Sequence, residues 1–342
     1  MTRLTQSIIN LTRLTSLSTR VLADAPFTAT ALVQRPPSYT VPAFSSGAGV
    51  AGYFGGGSDS VGNVSGIDKI TFPADSKTTL SATLTTGRYA LAGMANSGVA
   101  GYFGGGLDGV AGLSGIDKIT FPADTKTTLS GTLTTGRYSL AGMANSYVAG
   151  YFAGGEDSGG FVSGIDKITF PADTKTTLGT GLPSTRRLVA AMANSGVAGY
   201  VGGGYDGSYI SAIIKVAFPS DTVSTSSGTL ATTNAYFSAM ANSGVAGYFN
   251  GGSAAAVVDR IDKITFPADT RTTLSAVLTT ARYQIGSMAN SGTAGYVGGG
   301  FDTANLSGID KITFAADTKT TLSAVLTTAR QTPAGFANSG VL

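Results

Sequence analysis

The feature that most constrains this chain is a repeat of 48 or 49 residues that runs through most of its length. Its most regular stretch is GYFGGG at residues 101–106, and a second regular stretch, IDKITFPAD, follows it at residues 116–124. The tyrosines of the six copies are Tyr53, Tyr102, Tyr151, Tyr200, Tyr248 and Tyr296. A period of this length is typical of architectures in which each unit packs against its neighbours. We therefore expect one repeat-built body.

One repeat has the pattern of four short strands joined by turns. In the second copy, residues 90–95 and 99–103 flank a turn at 96–98, whose asparagine and glycine tolerate positive φ. Residues 116–121 alternate in a β-branched pattern, and residues 126–135 are rich in threonine and leucine. The sequence therefore predicts four antiparallel strands per repeat, and the period lies in the range of propeller blades.

From about Ser46 onward the repeats resemble the blades of kelch-type β-propellers. One matching piece is the aromatic residue followed by Gly-Gly at the end of the second strand. Another is an arginine before the first strand, found at Arg88, Arg137, Arg186, Arg282 and Arg330. The family usually has a tryptophan in the fourth strand, where this chain has Leu80, Leu129, Leu178, Leu274 and Leu322. The resemblance implies the blade topology and leaves descent and partners open.

The two ends of the chain predict how the ring closes. Residues 329–342 copy only the first strand of a further repeat, and the first repeat lacks a good copy of that strand. We therefore predict an all-β fold, a six-bladed β-propeller of four-stranded antiparallel blades, closed by the C-terminal strand and without an open sheet edge. The predicted domains are a short N-terminal arm, residues 1–45, and the propeller, residues 46–342.

The arm combines an amphipathic segment with a proline-rich linker at residues 26–45. Two arginines interrupt the apolar run that a signal peptide needs, and no run reaches the roughly 18 apolar residues of a membrane span, so no membrane insertion is expected. The apolar side chains need a partner surface, on another subunit or in a larger assembly. The residues predicted to attach the arm are Leu4, Ile8, Leu11, Arg13 and Arg20.

The composition argues against the common reaction chemistries. Histidine, cysteine and tryptophan are absent and Glu156 is the only glutamate, so the usual proton shuttle, thiol nucleophile and soft metal ligands are missing. The glycine-rich stretch lacks the lysine of a phosphate loop and precedes a strand. From residue 46 onward 18 basic residues balance 18 acidic ones, so no basic stripe for nucleic acid is expected. We predict no enzymatic activity, no cofactor, no metal site and no nucleic-acid partner.

Strand parity places the sequence variation at one end of the blades. The turns between strands one and two, and three and four, are nearly identical in every copy, whereas the loops between strands two and three lie at the other end and differ. The candidate binding residues in these loops are Asp59, Asp108, Asp157, Phe161, Tyr205, Asp206, Tyr209, Phe301 and Asp302. A varied face with aromatic rings and carboxylates suits recognition of a sugar or another protein. The alternative is that the loops drift without binding anything.

The fourth repeat departs from the pattern at two charged positions. Asn234 stands where the other copies have the arginine, and Ile214 stands where they have the aspartate of the third strand. Both positions belong to the variable end, so an arginine–aspartate ion pair lost as a unit is one interpretation. Coincidence is the other, because this repeat has drifted elsewhere too. The distance from Arg137 to a third-strand aspartate tests whether such a pair exists.

The chain as a whole resembles repeat-built phage tail and fibre proteins. The separate arm, the near-identical copies and the Gly/Ser/Thr-rich body imply a non-enzymatic structural protein of a virion, bound to other virion proteins through residues 1–45. They also imply a homo-oligomer, with a host surface glycan or protein bound by the variable loops. The alternative is a lectin-like propeller, secreted or at a cell surface. It predicts the same aromatic set in every loop, which the loop containing Ser253 lacks.

Overall fold

The structure is a computed structural model and describes residues 50–338. Within these residues the chain forms six four-stranded antiparallel sheets and one small hairpin, and it contains no helix. The inner strands of successive sheets contact each other all the way round, so the sheets are the blades of one ring. The predicted six-bladed propeller is confirmed. The arm, with its predicted attachment residues, lies outside the described residues.

The strands follow the repeat. Blade 1 consists of β1 (Ala51–Gly55), β2 (Ile67–Thr71), β3 (Ser76–Thr79) and the last strand, β26 (Ala334–Ala337). Blade 2 consists of β4 (Ala92–Asn96), β5 (Ala100–Gly104), β6 (Ile116–Thr120) and β7 (Thr125–Thr128). Blade 3 consists of β8 (Ala141–Asn145), β9 (Ala149–Ala153), β12 (Ile165–Thr169) and β13 (Thr174–Thr177), with a loop hairpin of β10 (Glu156–Asp157) and β11 (Gly160–Phe161).

The other three blades repeat this order. Blade 4 consists of β14 (Ala190–Asn194), β15 (Ala198–Gly202), β16 (Ala212–Ala217) and β17 (Thr222–Thr229). Blade 5 consists of β18 (Ser238–Asn242), β19 (Ala246–Asn250), β20 (Ile261–Thr265) and β21 (Thr270–Thr273). Blade 6 consists of β22 (Gly286–Asn290), β23 (Ala294–Gly298), β24 (Ile309–Thr313) and β25 (Thr318–Thr321).

The last strand closes the ring, as the sequence predicts. Strand β26 pairs antiparallel with β1, with Phe336 opposite Tyr53, and thereby becomes the inner strand of blade 1. The ring of Phe336 packs against Tyr53, Phe103 and Phe121, which belong to two different blades. The final strand therefore joins blade 1 to blade 2 as well as completing its own sheet.

The second strand of each blade is buried along its whole length, because a neighbouring blade covers each face. The first glycine of the GYFGGG stretch makes room for that neighbour. A Cβ atom on Gly150 would lie 2.2 Å from Sδ of Met94 in the preceding blade, and one on Gly101 would lie 1.9 Å from the ring of Phe336. The glycines at this position thus serve close packing between blades.

The tyrosine of the stretch ties each blade to the next. The hydroxyl of Tyr102 donates to Oδ1 of Asp173 at 2.8 Å, and Nζ of Lys118 contacts Oδ2 of the same carboxylate at 2.6 Å. The tyrosine and lysine belong to blade 2, whereas the aspartate belongs to the turn between strands three and four of blade 3. The same three residues occur at all six joints, including the one from Tyr296 and Lys311 to Asp75 that closes the ring.

Removing the Tyr102 hydroxyl is expected to weaken one joint. Burial, followed by the hydrogen bond to Asp173, raises the pKa of this hydroxyl, so it remains a donor throughout the ordinary pH range. A hydrogen bond to a charged acceptor contributes about 1.5–3 kcal/mol, and Tyr102→Phe should lower the free energy of unfolding by that amount. Denaturant unfolding measures the change. The control is Tyr209→Phe at an exposed loop position, and equal effects of the two changes would contradict the assignment.

The turns at the repeat-identical end form a second set of joints. Oδ1 of Asn145 accepts the backbone N–H of Gly196 in the next blade at 2.9 Å, and Asn194 and Asn242 repeat this contact in the following blades. The serines between them also bind from blade to blade, as when the N–H of Ser146 donates to a serine hydroxyl of blade 4. The Asn-Ser-Gly sequence is therefore needed by the neighbouring blade as well as by its own hairpin.

The fourth strand is shorter than the sequence predicts. The predicted strand at residues 126–135 ends in the structure at Thr128. The following residues cross to blade 3, where the N–H and hydroxyl of Thr134 donate to the carboxylate of Asp166 at 2.9 and 2.6 Å. This contact holds the segment away from its own sheet. The threonine-rich sequence therefore continues beyond the last residue of the strand.

Candidate functional site

The variable end is built on one position per blade where two chain segments meet. In each blade, the residue after the repeated arginine, or after Asn234 in blade 5, forms an isolated antiparallel bridge with a residue at the start of the variable loop. From blade 1 to blade 6 these pairs are Gln331 with Ser58, Tyr89 with Leu107, Tyr138 with Glu156, Arg187 with Tyr205, Ala235 with Ser253, and Tyr283 with Phe301. We call them the entry pairs. All six pairs have the same backbone pairing but different side chains. The blades therefore share one backbone structure at this position and differ in the side chains that they place there.

The predicted loop aspartates stabilise their own loops. Oδ1 of Asp108 accepts the backbone N–H groups of Val110 and Ala111 at 2.9 Å, and these bonds lower the pKa of the carboxyl. The corresponding aspartates, Asp59, Asp157, Asp206 and Asp302, also accept backbone N–H groups of their loops. In residues 50–338 no three carboxylates come together as a metal-binding group. Each aspartate is thus first a turn residue.

Three predicted aromatic residues come together at the boundary of blades 3 and 4. The ring of Tyr205 lies 5.8 Å from that of Phe161 and 5.2 Å from that of Tyr209. The guanidinium of Arg187 stacks on the first two rings, at 4.9 Å from the Phe161 centroid and 5.7 Å from the Tyr205 centroid. Arg187 also forms an ion pair with Glu156. Sequence reasoning named neither member of this pair as a site residue.

The fourth predicted aromatic residue, Phe301, lies in a separate cluster. Its ring is 5.7 Å from Tyr283, which is 5.8 Å from Tyr236. Both tyrosines were missed, because the pattern drew attention to the arginine before the first strand and not to the residues after it. An available signal was that Tyr283 directly follows this arginine, as Tyr89 and Tyr138 do in their own repeats.

Four of the five repeated arginines lie in buried ion pairs at this end of the blades. Nη2 of Arg137 is 3.1 Å from Asp166, and the pairs Arg88 with Asp117, Arg282 with Asp310 and Arg330 with Asp68 span 2.9–3.0 Å. Burial lowers the pKa of Arg137, and the charge of Asp166 opposes that shift. The arginine–aspartate pair is therefore real, and it joins two segments of one blade.

The two departures near the fourth repeat do not belong to one pair. Ile214 lies opposite Arg186 in blade 4, whereas Asn234 precedes the first strand of blade 5, whose aspartate is Asp262. The interpretation of an ion pair lost as a unit is thus wrong. Arg186 keeps a hydrogen bond to Ser184 at 2.9 Å, and Asp262 pairs with Arg260 at 3.3 Å. Arg186 and Asp262, whose partners in the other repeats are absent here, therefore each bind a nearby side chain instead.

Charges of both signs meet at the variable end. Its loops and blade entries hold seven half-exposed or exposed carboxylates, Asp59, Asp108, Glu156, Asp157, Asp206, Asp259 and Asp302, and two cations outside the buried pairs, Arg187 and Arg260. Cations of the fourth strands also reach this end: Nζ of Lys77, Lys126, Lys175 and Lys319 lies 3.2–3.8 Å from the buried aspartates of the third strands, and Arg271 lies 4.0 Å from Asp262. The variable end therefore has no large excess of either charge.

The propeller axis is narrowed at this end by bonds between blades. The N–H of Ser139 donates to the carbonyl of Ala90, and the N–H of Leu188 donates to that of Ser139, at 2.8 and 2.9 Å. What remains at the axis is a shallow depression, whose rim includes Tyr236 and Gln284. The aromatic clusters are therefore the main features of this surface.

Comparisons with known proteins add no family. No family model matches the chain, and no curated protein matches it. Within the described residues no helix has the length and apolar character to cross a membrane. What is established is the architecture, a β-propeller of six four-stranded blades.

Proposed function

We propose that this protein is a non-enzymatic structural protein of a virion, of the phage tail or fibre type, in which the arm attaches to the particle and the propeller is displayed. The observation that carries the proposal is the end at which the chain enters the propeller. Ala51, the first residue of β1, pairs with Thr71 next to the repeat-identical turn, whereas Gly55 leads into the variable loop. The first described strand therefore begins at the repeat-identical end, and we propose attachment of the protein at that end and display of the variable loops at the other.

Exposed apolar residues support attachment at the repeat-identical end. The first-to-second-strand turns carry Val99, Val148, Val197 and Val245, whose exposed fractions lie between 39 and 51%. These turns join the two innermost strands of each blade, so the valines lie at one end of the ring. Apolar groups gathered in this way favour contact with another protein surface, either a second copy or another virion protein. We propose a homo-oligomer on the same ground.

The variable end is proposed as the recognition surface for a host glycan or protein. Its loops vary on a frame held by contacts elsewhere, and aromatic residues with an arginine are enriched in binding surfaces. The lectin-like alternative has weaker support, because repeated sugar sites require repeated side chains and the six entry pairs all differ. No catalytic role is proposed, since the loop carboxylates bind backbone N–H groups of their own turns.

Deleting residues 1–45 is expected to abolish association with the particle while leaving the propeller folded. Particles from the native source, purified and examined by electron microscopy with an antibody to the propeller, give the position of the chain. Thermal unfolding should change little, because all six joints lie within the described residues. A matched variant with Tyr205→Ala and Tyr209→Ala should still join the particle. Retention of the shortened chain on particles, or the absence of the full chain from every particle fraction, would overturn the proposal.

A further inference from the structure

Three aromatic rings on the variable end form an open cluster. Tyr236 and Tyr283 meet at 75°, and Tyr283 and Phe301 meet at 67°, with centroid separations of 5.8 and 5.7 Å. All three side chains are half-buried. In each of these contacts the edge of one ring meets the face of the next, and a cationic group would contact the remaining π faces.

Blade 4 shows what the same position holds when the chain supplies its own cation. There the entry pair is Arg187 with Tyr205, and the guanidinium lies on the ring of its partner. In blade 6 the entry pair is Tyr283 with Phe301, so an aromatic ring replaces the arginine. Blade 6 therefore keeps a ring at the loop position, Phe301 for Tyr205, and has a second ring where blade 4 has its cation.

No lysine or arginine of residues 50–338 lies over these three rings. The tyrosines of the second strands differ in this respect, since each has a lysine 5.3–5.6 Å from its centroid. Arg187 lies near enough to affect the pKa of Tyr236, which burial raises, but its guanidinium is stacked on rings of blades 3 and 4. Its charge is also paired with Glu156. The cluster thus has no cation of its own.

Blade 5 leaves one side of the cluster accessible. Its entry pair is Ala235 with Ser253, and the loop continues with three alanines at residues 254–256. The last two alanines are exposed. Small side chains at these positions put no large group beside Tyr236, the residue that follows Ala235. A partner side chain can therefore approach Tyr236 and Tyr283 from blade 5.

One carboxylate directly follows the cluster in sequence and favours a cation. Asp302 follows Phe301 directly, and its Oδ1 accepts the N–H of Ala304 at 2.9 Å. The backbone bonds from Ala304 and Thr303 lower the pKa of the carboxyl, which is therefore ionised at neutral pH.

We propose that Tyr236, Tyr283 and Phe301, together with Asp302, bind an arginine or lysine side chain of a partner protein. The proposal rests on the recognition role given above to the variable end, and it specifies the chemistry recognised there. A neutral sugar has no charge to complement this surface, whereas a guanidinium or ammonium group satisfies both the π faces and the carboxylate.

Binding of small probes to the full-length chain tests the site. Saturation-transfer NMR would compare N-acetyl-arginine amide, N-acetyl-glutamine amide and methyl glucoside. The arginine probe should bind in the millimolar range, the glutamine probe should bind at least about fivefold more weakly, and salt should weaken the arginine signal. Tyr283→Ala and Phe301→Ala should each weaken it by at least about fivefold, whereas Tyr283→Phe should retain it. The matched control is Tyr89→Ala, at the same position of blade 2.

Other outcomes would overturn the assignment. Equal binding of the arginine and glutamine probes would contradict the proposal. Unchanged binding of the arginine probe to both ring variants would also contradict it. Preferential binding of methyl glucoside that both ring variants abolish would identify a sugar site instead. Thermal unfolding of each variant establishes that it is folded. Because the arm deletion measures particle association and these probes measure binding to the chain alone, either proposal can fail without the other.

Discussion

Asp166→Ala is expected to lower the free energy of unfolding by about 3–5 kcal/mol, among the largest effects of any single change in this protein. Asp166 is fully buried. Its carboxylate forms an ion pair with Arg137 at 3.1 Å and accepts hydrogen bonds from the N–H and hydroxyl of Thr134 and from the hydroxyl of Thr177. Its removal leaves a buried guanidinium without a counter-charge and several donors without an acceptor. Denaturant unfolding of the variant and of the unaltered protein measures the loss.

The chain supplies its own control for this experiment. Blade 4 has Ile214 in place of the aspartate, Pro183 in place of Thr134, and Ser184 as the partner of its arginine. Blade 4 also has Val223 where blade 3 has Lys175, whose Nζ lies 3.2 Å from Oδ1 of Asp166. The variant Thr134→Pro, Thr135→Ser, Asp166→Ile, Lys175→Val transfers this arrangement to blade 3. It should recover at least half of the stability that Asp166→Ala loses, because the isoleucine fills the space and the proline has no N–H to leave unpaired. A combined variant as unstable as Asp166→Ala would contradict this account.

The same carboxylate should make stability depend on pH. Burial raises the pKa of Asp166, but the bonds from Thr134 and the charge of Arg137 outweigh it, so the pKa is lowered in the folded protein. A lowered pKa means that the contribution is present above the unfolded value of about 3.9 and is lost as the pH falls through the folded value. The unaltered protein should therefore lose more stability between pH 7 and pH 3 than Asp166→Ala does.

Removing residues 331–342 is expected to prevent the propeller from folding cooperatively. The deletion takes away β26, leaves β1 as an unpaired edge, and exposes Tyr53 and Phe103, against which Phe336 packs. An open edge of this kind pairs with other chains, so aggregation should accompany the loss. Circular dichroism and size-exclusion chromatography would show the absence of a thermal transition and of a monodisperse species.

A peptide of residues 331–342 provides the test of mechanism. Added in excess to the shortened chain, it should restore a cooperative transition whose midpoint rises with peptide concentration, because it binds only the folded ring. A peptide with Phe336→Ala should do so more weakly. Cooperative unfolding of the shortened chain at an unchanged temperature would contradict the closing role of the strand.

The architecture could be predicted because the same strand pattern occurs six times. Where one copy leaves the position of a strand or turn uncertain, the other copies indicate it. The spacing of Tyr53 and its five copies gave the blade number, and residues 334–337 were recognisable as a lone first strand. The joints were harder to predict, since Tyr102 binds an aspartate 71 residues away in the next repeat. A pattern within one repeat cannot indicate which copy supplies the partner.

The same reason explains the error over the fourth repeat. Asn234 and Ile214 are neighbours in the sequence pattern, but the chain crosses to blade 5 between them, so that they face Asp262 and Arg186 respectively. The aromatic residues of the loops were predicted, yet their grouping into two clusters was not. That grouping depends on Arg187 and Tyr236, which lie on the entry to each blade and outside the loops.

The six identical joints have a consequence for how such a chain changes over generations. Because the tyrosine, lysine and aspartate that hold neighbouring blades together are the same at every junction, a loop can be altered or copied from one repeat to another without refitting the frame. Exchange between the near-identical repeats is thus a ready source of new surfaces. The variable end therefore consists of six loops that can change independently, while the opposite end stays the same.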